Sequence, residues 1–143
     1  MENKRKILNF MKEEKLMVIS TLNGNGLPES ALVGFSQTDK LEIIFGTFNE
    51  IRKYSNLMVN KNVSLVIGLD LGKKMTIQYE GVAQEVNGKK LEQCKKIHIS
   101  KLDNEEYVNS PRERIFKINP KWIRYSNSSK DPEEIFEIEE DKL

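Results

Sequence analysis

The feature that most constrains the fold is a pair of short turns near the start of the chain. Asn23-Gly24-Asn25-Gly26 separates an alternating apolar segment at 16–22 from another apolar segment at 29–36. Asn and Gly tolerate the positive φ angles of tight hairpins, so this run predicts a β-hairpin. A second turn at 37–40 leads to a third strand at 41–46. Because parallel strands need much longer crossovers, these turns predict an antiparallel meander and argue against a doubly wound sheet.

Hydrophobic periodicity predicts the remaining elements, since strands alternate while helices repeat every three to four residues. The predicted helices cover 2–14, 49–60 and 89–101, and the further strands cover 62–69, 75–86, 114–118 and 121–125, the last two bent at Asn119-Pro120. Six or seven strands with two or three interspersed helices are typical of a small antiparallel barrel. The chain is therefore expected to be mainly β, with flanking helices.

The acidic residues are concentrated at the C-terminus. The segment 130–143 holds seven acidic residues and two lysines, which leaves 21 basic and 15 acidic residues in the rest, a net charge of +6. We expect residues 1–129 to form a single domain and 130–143 to form an acidic tail, in which Asp131-Pro132-Glu133-Glu134 has the pattern of a helix start. The diffuse basic charge suits a small anionic ligand, whereas nucleic-acid binding needs a concentrated basic face.

The cysteine, histidine and apolar content narrows the possible functions. Cys94 is the only cysteine and His98 the only histidine, which excludes thiolate metal clusters, the usual zinc sites and Ser-His-Asp catalysis. Cys94 falls on an apolar helix stripe and His98 is expected at the surface, so neither is assigned a catalytic role. No apolar run approaches the roughly 20 residues that span a bilayer, and no signal-peptide core is present. A cytoplasmic location without membrane association is expected.

Two cations occupy the first turn of the helix predicted at 49–60, where the helix dipole disfavours positive charge. Arg52 and Lys53 allow two interpretations. They could be solvated side chains of a surface helix whose start is capped by Thr47 and Glu50. Alternatively, they could bind an anion at the helix N-terminus, with Arg52 gripping a phosphate bidentately and Lys53 adding a point charge.

The order of segments around these cations resembles the pyridoxamine 5′-phosphate oxidase-like family of FMN-binding split barrels. Gly-Leu-Pro at 26–28 leads into Ser-Ala-Leu-Val-Gly-Phe at 30–35, and a strand ending Ile-Phe-Gly-Thr at 44–47 precedes Arg52-Lys53. Asn-Lys-Asn-Val-Ser-Leu-Val and Thr-Ile-Gln-Tyr-Glu-Gly-Val-Ala follow, at 60–66 and 76–83. The resemblance covers about residues 15–125 and implies a six- to seven-stranded antiparallel split β-barrel.

That resemblance also implies a homodimer with two FMN sites at the subunit interface. By position, the isoalloxazine ring would be lined mainly by the backbone of Ser30, Ala31, Leu32 and Val33. The ribityl chain and phosphate would be bordered by Phe45, Gly46 and Thr47, and the phosphate would be bound by Arg52 and Lys53. Thr76 or Gln78 would approach from the fifth strand, either within one subunit or from across the interface.

The sequence departs from the biosynthetic oxidases of this family. They begin the ring-binding strand with an arginine and end it with a lysine, where this chain has Ser30 and Phe35-Ser36. They also carry a late Trp followed several residues on by an Arg, whereas this chain has Trp122 and Arg124 and no later arginine. The resemblance is therefore closer to small stress-protein-like or flavin-reductase-like members.

The leading hypothesis is an FMN-dependent oxidoreductase that moves hydride or electrons between the flavin and a small-molecule substrate. The cofactor carries such chemistry, so no catalytic side chain and no metal ligand is assigned. One alternative is a flavin carrier or sensor that binds without turnover. Another is a split barrel that binds haem or a deazaflavin. Haem is disfavoured because the only histidine, His98, lies outside the helix that carries Arg52 and Lys53.

Overall fold

The computed structural model describes residues 1–143, which form eight strands, four α-helices and a C-terminal 3-10 helix. The strands are β1 (Leu16–Leu22), β2 (Pro28–Gly34), β3 (Ser36–Gln37), β4 (Ile43–Phe48), β5 (Asn62–Ile67), β6 (Met75–Glu85), β7 (Glu113–Asn127) and β8 (Glu134–Glu139). The helices are α1 (Glu2–Glu13), α2 (Arg52–Val59), α3 (Gly88–Leu102), α4 (Glu105–Val108) and the 3-10 helix Glu140–Lys142.

One antiparallel sheet contains every strand, in the order β2-β1-β5-β6-β7-β4-β3, with β8 also paired to β7. The long strand β7 pairs with β4 through its first half and with β8 through its second half. This sheet forms the predicted mainly β split barrel with flanking helices. The sheet has eight strands where six or seven were predicted, because the two-residue β3 and the C-terminal β8 add to the predicted set.

Local sequence patterns explain why these elements form. In β5, buried Val63, Leu65 and Ile67 alternate with exposed neighbours, as expected for a strand with one face on the core. In α1, the buried residues are Ile7, Phe10 and Met11, which lie three and four positions apart on one helical face. Both sets belong to the same cluster of 21 buried apolar residues, so the helix covers one side of the barrel core.

The prediction of a helix start at 131–134 is wrong, because this segment leads into strand β8. Phe136 stacks on Tyr125 of β7 with 4.8 Å between ring centroids, and Ile138 is buried in the main core. The exposed residues Ile135, Glu137 and Glu139 alternate with these two, which is the two-residue period of a strand. Pairing to β7 therefore outweighs the helix-start signal.

Two other boundaries differ from the sequence expectation. The two strands predicted at 114–118 and 121–125 are one continuous strand, and its irregularity lies where Gly81 of β6 faces Pro120. The capping box of Thr47 and Glu50 is not formed, because β4 continues through Phe48 and α2 begins at Arg52 without a side-chain cap. None of the helices has both the length and the apolar character required to cross a membrane.

Candidate functional site

Four of the residues singled out in the sequence line one groove. Ser30 and Ala31 on β2 face Arg52 and Lys53 in the first turn of α2, across a space of about 130 Å³. The groove is completed by Thr21, Glu29 and Ile51. No side chain caps the start of α2, and of its first-turn amides that of Tyr54 donates to the carbonyl of Ile51 at 2.9 Å.

Lys53 is the buried cation of the groove, with an exposed fraction of 9%. Burial lowers the pKa of its ammonium, and the nearby carboxylate of Glu113 opposes that effect without coming close enough to form an ion pair. A lysine this largely buried and without an ion-pair partner is costly, so this position favours an anionic ligand.

Arg52 is the exposed cation of the groove, and its Nε lies 3.3 Å from Oε1 of Glu29. The Glu29 carboxylate also accepts hydrogen bonds from Asn56 at 2.7 Å and from Asn23 at 3.2 Å. The hydrogen bond from Asn56, then that from Asn23 and the charge of Arg52, lower the pKa of Glu29. The sequence analysis missed Glu29, because three separate segments have to meet before it can hold Arg52.

The residues predicted to border the ribityl chain and phosphate occupy different environments. The Phe45 ring is fully buried and stacks on Phe116 at 5.4 Å, so only its backbone can border a ligand. Thr47 is also buried, and its hydroxyl donates a long hydrogen bond of 3.4 Å to the carbonyl of Phe48. At Gly46, an added Cβ would lie 2.8–2.9 Å from the Glu113 carboxyl group, so the glycine leaves room for that acid.

Glu113 is a second residue that the sequence analysis missed. Its side chain is half-buried at the start of β7, and burial raises the pKa of its carboxyl group to about 7, against the opposing charge of Lys53. No sequence signal marks it, because Gly46 and Lys53 come close to it only after β4 pairs with β7.

The other predicted residues do not join this groove within one chain. Leu32 on β2 is exposed and Val33 packs against the core. Gln78 lines a separate groove of about 250 Å³ together with Trp122 on β7. Thr76 is half-buried near the start of β6, paired with β7. Strands β1 and β5 lie between β2 and β6 in the sheet, so β2 and β6 are separated by three inter-strand spacings, which corresponds to about 14 Å.

A family model described as pyridoxamine 5′-phosphate oxidase matches residues 4–127, which is most of the chain. The chain belongs to the pyridoxamine 5′-phosphate oxidase family. Strand β8 lies beyond the matched segment. No curated protein sequence matches the chain.

Several solved structures share the fold of this chain, although their sequences are no more than 24% identical to it. The general stress protein 26 of Bacillus anthracis is 24% identical, with a TM-score of 0.72 over 96% of this chain and 100% of its own. HutZ, described as a haem storage protein of Vibrio cholerae, is 18% identical, with a TM-score of 0.70 over 81% of this chain and 88% of its own. A haem-binding protein of Mycobacterium smegmatis is 12% identical, with a TM-score of 0.80, and this chain covers 57% of its length.

His98 is buried in this member of the family, so its expected surface position is wrong. Its Nδ1 lies 2.8 Å from the buried Ser36 hydroxyl, which joins α3 to β3. Burial, and then the charge of Lys101, lower its pKa to about 4, so the imidazole is neutral at physiological pH. The lysines beside His98 in the sequence suggest an exposed position, but α3 packs against β3 and buries this histidine.

Proposed function

We propose that this protein is an FMN-binding oxidoreductase, with the FMN phosphate held in the groove between β2 and the first turn of α2. The observation that carries the proposal is Lys53, a largely buried lysine with no ion-pair partner at the uncapped end of α2. Arg52 adds a second donor once it turns from Glu29, and a guanidinium suits bidentate phosphate binding.

The proposed site requires two copies of the chain. A groove of about 130 Å³ is smaller than the roughly 300–1,000 Å³ of typical cofactor pockets, so one chain would enclose only the phosphate end. Leu32 and Val66 are exposed on the sheet that also carries Gln78. We propose that these exposed apolar residues pack against a second copy, so that Thr76 and Gln78 of the partner approach the ring beside Ser30–Val33.

The protein's own role in this proposal is to bind and orient the cofactor. FMN would supply hydride or electron transfer to a small-molecule substrate, since flavins carry that chemistry themselves. Arg52 and Lys53 would anchor the phosphate, and the backbone of β2 would offer hydrogen-bonding groups to the ring edge.

The test is the double substitution Arg52→Ala with Lys53→Ala, measured by FMN and riboflavin titration. Loss of charge-assisted bonds to a dianion should cost on the order of 1.5–3 kcal/mol for each residue, with the smaller loss at the exposed Arg52. FMN affinity should therefore fall far more than riboflavin affinity. Lys89→Ala with Lys90→Ala, two exposed lysines of α3, removes the same charge and should change neither.

Two results would contradict the proposal at different levels. Protein that purifies colourless and does not take up FMN on titration would reject the cofactor. Equal losses for FMN and riboflavin in the double variant would reject the phosphate role of Arg52 and Lys53 alone. Rapid-mixing reduction by NADH or NADPH, followed by reoxidation with oxygen or a quinone, would separate an oxidoreductase from a flavin carrier or sensor.

Haem is the second candidate ligand, because two of the structural relatives are described as haem-binding or haem storage proteins. The described residues favour FMN over haem, since His98 is buried and its Nδ1 is engaged with Ser36. An axial bond from His98 would require α3 to open. Competition between haemin, a deazaflavin and FMN, followed by absorbance, ranks the three ligands.

A further inference from the structure

The carboxyl group of Glu113 lies against Gly46, at the end of β4 that leads towards α2. Neither adjacent arginine compensates its charge. Arg112 is ion-paired with Glu50, and the Nη1 of Arg114 donates to backbone carbonyls while its Nε lies 3.9 Å from Glu85. The acid is therefore half-buried without a side-chain partner.

Lys53 is the only charged group that acts appreciably on this carboxylate. Strand β4 contributes no ionisable side chain from 43 to 48, and α4, which also packs against β7, carries the exposed ionisable residues Glu105, Glu106 and Tyr107. Arg52, also on α2, acts on Lys53 by repulsion. Lys53 lines the proposed phosphate groove, whereas Glu113 lies outside it against Gly46, close enough for the two charges to act on each other. Neither side chain has an ion-pair partner, so an anion entering the groove would compete with Glu113 for Lys53.

We propose that Glu113 makes phosphate binding in this groove proton-coupled, so that the carboxylate takes a proton from solvent when a phosphate dianion engages Lys53. This inference rests on the proposed FMN site. The positive charge of Lys53 is the one charge that favours the ionised form of Glu113, and a phosphate dianion bound beside Lys53 neutralises it. The dianion also repels the Glu113 carboxylate. Binding therefore favours the neutral, protonated acid. Linkage then requires that a higher pH, which removes that proton, weakens binding.

In the free protein, Glu113 already titrates in the pH range where this coupling would operate. The pKa of Glu113 is about 7 in the free chain, so the acid is about half ionised at neutral pH. Between pH 7 and 9 the dissociation constant for FMN should rise by up to about tenfold per pH unit. A phosphate monoester is already a dianion in that range, because its second pKa is about 6.

The experiment measures FMN and riboflavin affinity from pH 6.5 to 9 for the wild type, Glu113→Gln and Glu106→Gln. Glu106 is an exposed acid of α4, so its variant is the matched control for charge. We expect the alkaline weakening for FMN in the wild type and in Glu106→Gln, and its absence in Glu113→Gln. Riboflavin affinity should be independent of pH over this range in all three proteins.

Calorimetry of FMN binding at pH 8, in buffers with different ionisation enthalpies, counts the protons directly. The wild type should take up as much as about 0.9 proton per FMN, and Glu113→Gln should take up almost none. The wild-type measurement stands alone if the variant does not fold.

The outcomes separate this inference from the function on which it rests. FMN binding without proton uptake, or an alkaline weakening that persists in Glu113→Gln, overturns the role of Glu113 and leaves the FMN site standing. A protein that binds FMN at no pH overturns both.

Discussion

The two ends of strand β7 differ in whether the charged side chains beside them have partners. At its start, Glu113 has no side-chain partner and Lys53 of α2 has no counterion. At its other end, Glu137 of β8 accepts hydrogen bonds from the Trp122 indole at 2.9 Å and from Arg124 at 2.7 Å. Lys121 is likewise paired with Glu140. The charges named at the β8 end are paired with one another, whereas at the α2 end Arg52 and Arg112 are paired and Lys53 and Glu113 are not.

This contrast bears on which end of β7 stabilises the fold and which end is proposed to bind a ligand. Exposed ion pairs on paired strands contribute little to stability, and the β8 end is held mainly by the apolar packing of Phe136 and Ile138. Unpaired, half-buried charges are costly to fold and are retained where a ligand compensates them. The asymmetry of β7 therefore supports the proposal that an anion binds near its first residues and not near its acidic end.

The largest effect on stability is expected from Ile138→Ala, at the β8 end. Truncation of this buried side chain should lower the free energy of unfolding by about 2–5 kcal/mol, through lost burial and the cavity left behind. Urea denaturation measures the change, with Ile135→Ala, an exposed neighbour on the same strand, as the control. Equal effects of the two variants would mean that β8 is not docked through Ile138.

A smaller and pH-dependent effect is expected from Glu113→Gln. The pKa of Glu113 is raised to about 7 in the folded state, so the folded chain binds more protons and loses stability as the pH rises from about 4.5 through 7. The neutral variant should therefore unfold like the wild type at pH 4. At pH 8 it should be more stable by about 1 kcal/mol, a value reduced for the partial exposure of the group. Denaturation midpoints at the two pH values check this, and lower stability of the variant at pH 8 would contradict it.

The smallest effect is expected from Glu137→Gln, which removes the charge of the Arg124 pair but leaves an acceptor for the Trp122 indole. Exposed pairs of this kind are worth about 0.2–1 kcal/mol, so the unfolding midpoint should fall slightly and the loss should shrink in high salt. A gain in stability, like that expected from Glu113→Gln at pH 8, would remove the contrast between the two ends of β7.

Much of the fold follows from local sequence patterns, because turn chemistry and side-chain alternation act over a few residues. The Asn-Gly run at 23–26 produced the β1–β2 hairpin, and the alternation at 62–69 produced β5. The cations at the start of α2 were also visible in the sequence, although the helix begins three residues later than its pattern indicated. Segment 131–139 was misassigned because a helix start and an edge strand compete locally, and the apolar surface of β7 decides between them.

The sequence by itself determined an antiparallel sheet, its hairpins and a helix that has Arg52 and Lys53 in its first turn. Only the tertiary structure decided that Ser30 and Ala31 share a groove with these cations, that Glu29 holds Arg52, and that Glu113 lies against Gly46. It also decided that His98 is buried against Ser36. These side chains come from distant segments, and their burial and charge coupling arise when β4, β7 and the helices pack together. No local pattern encodes that proximity.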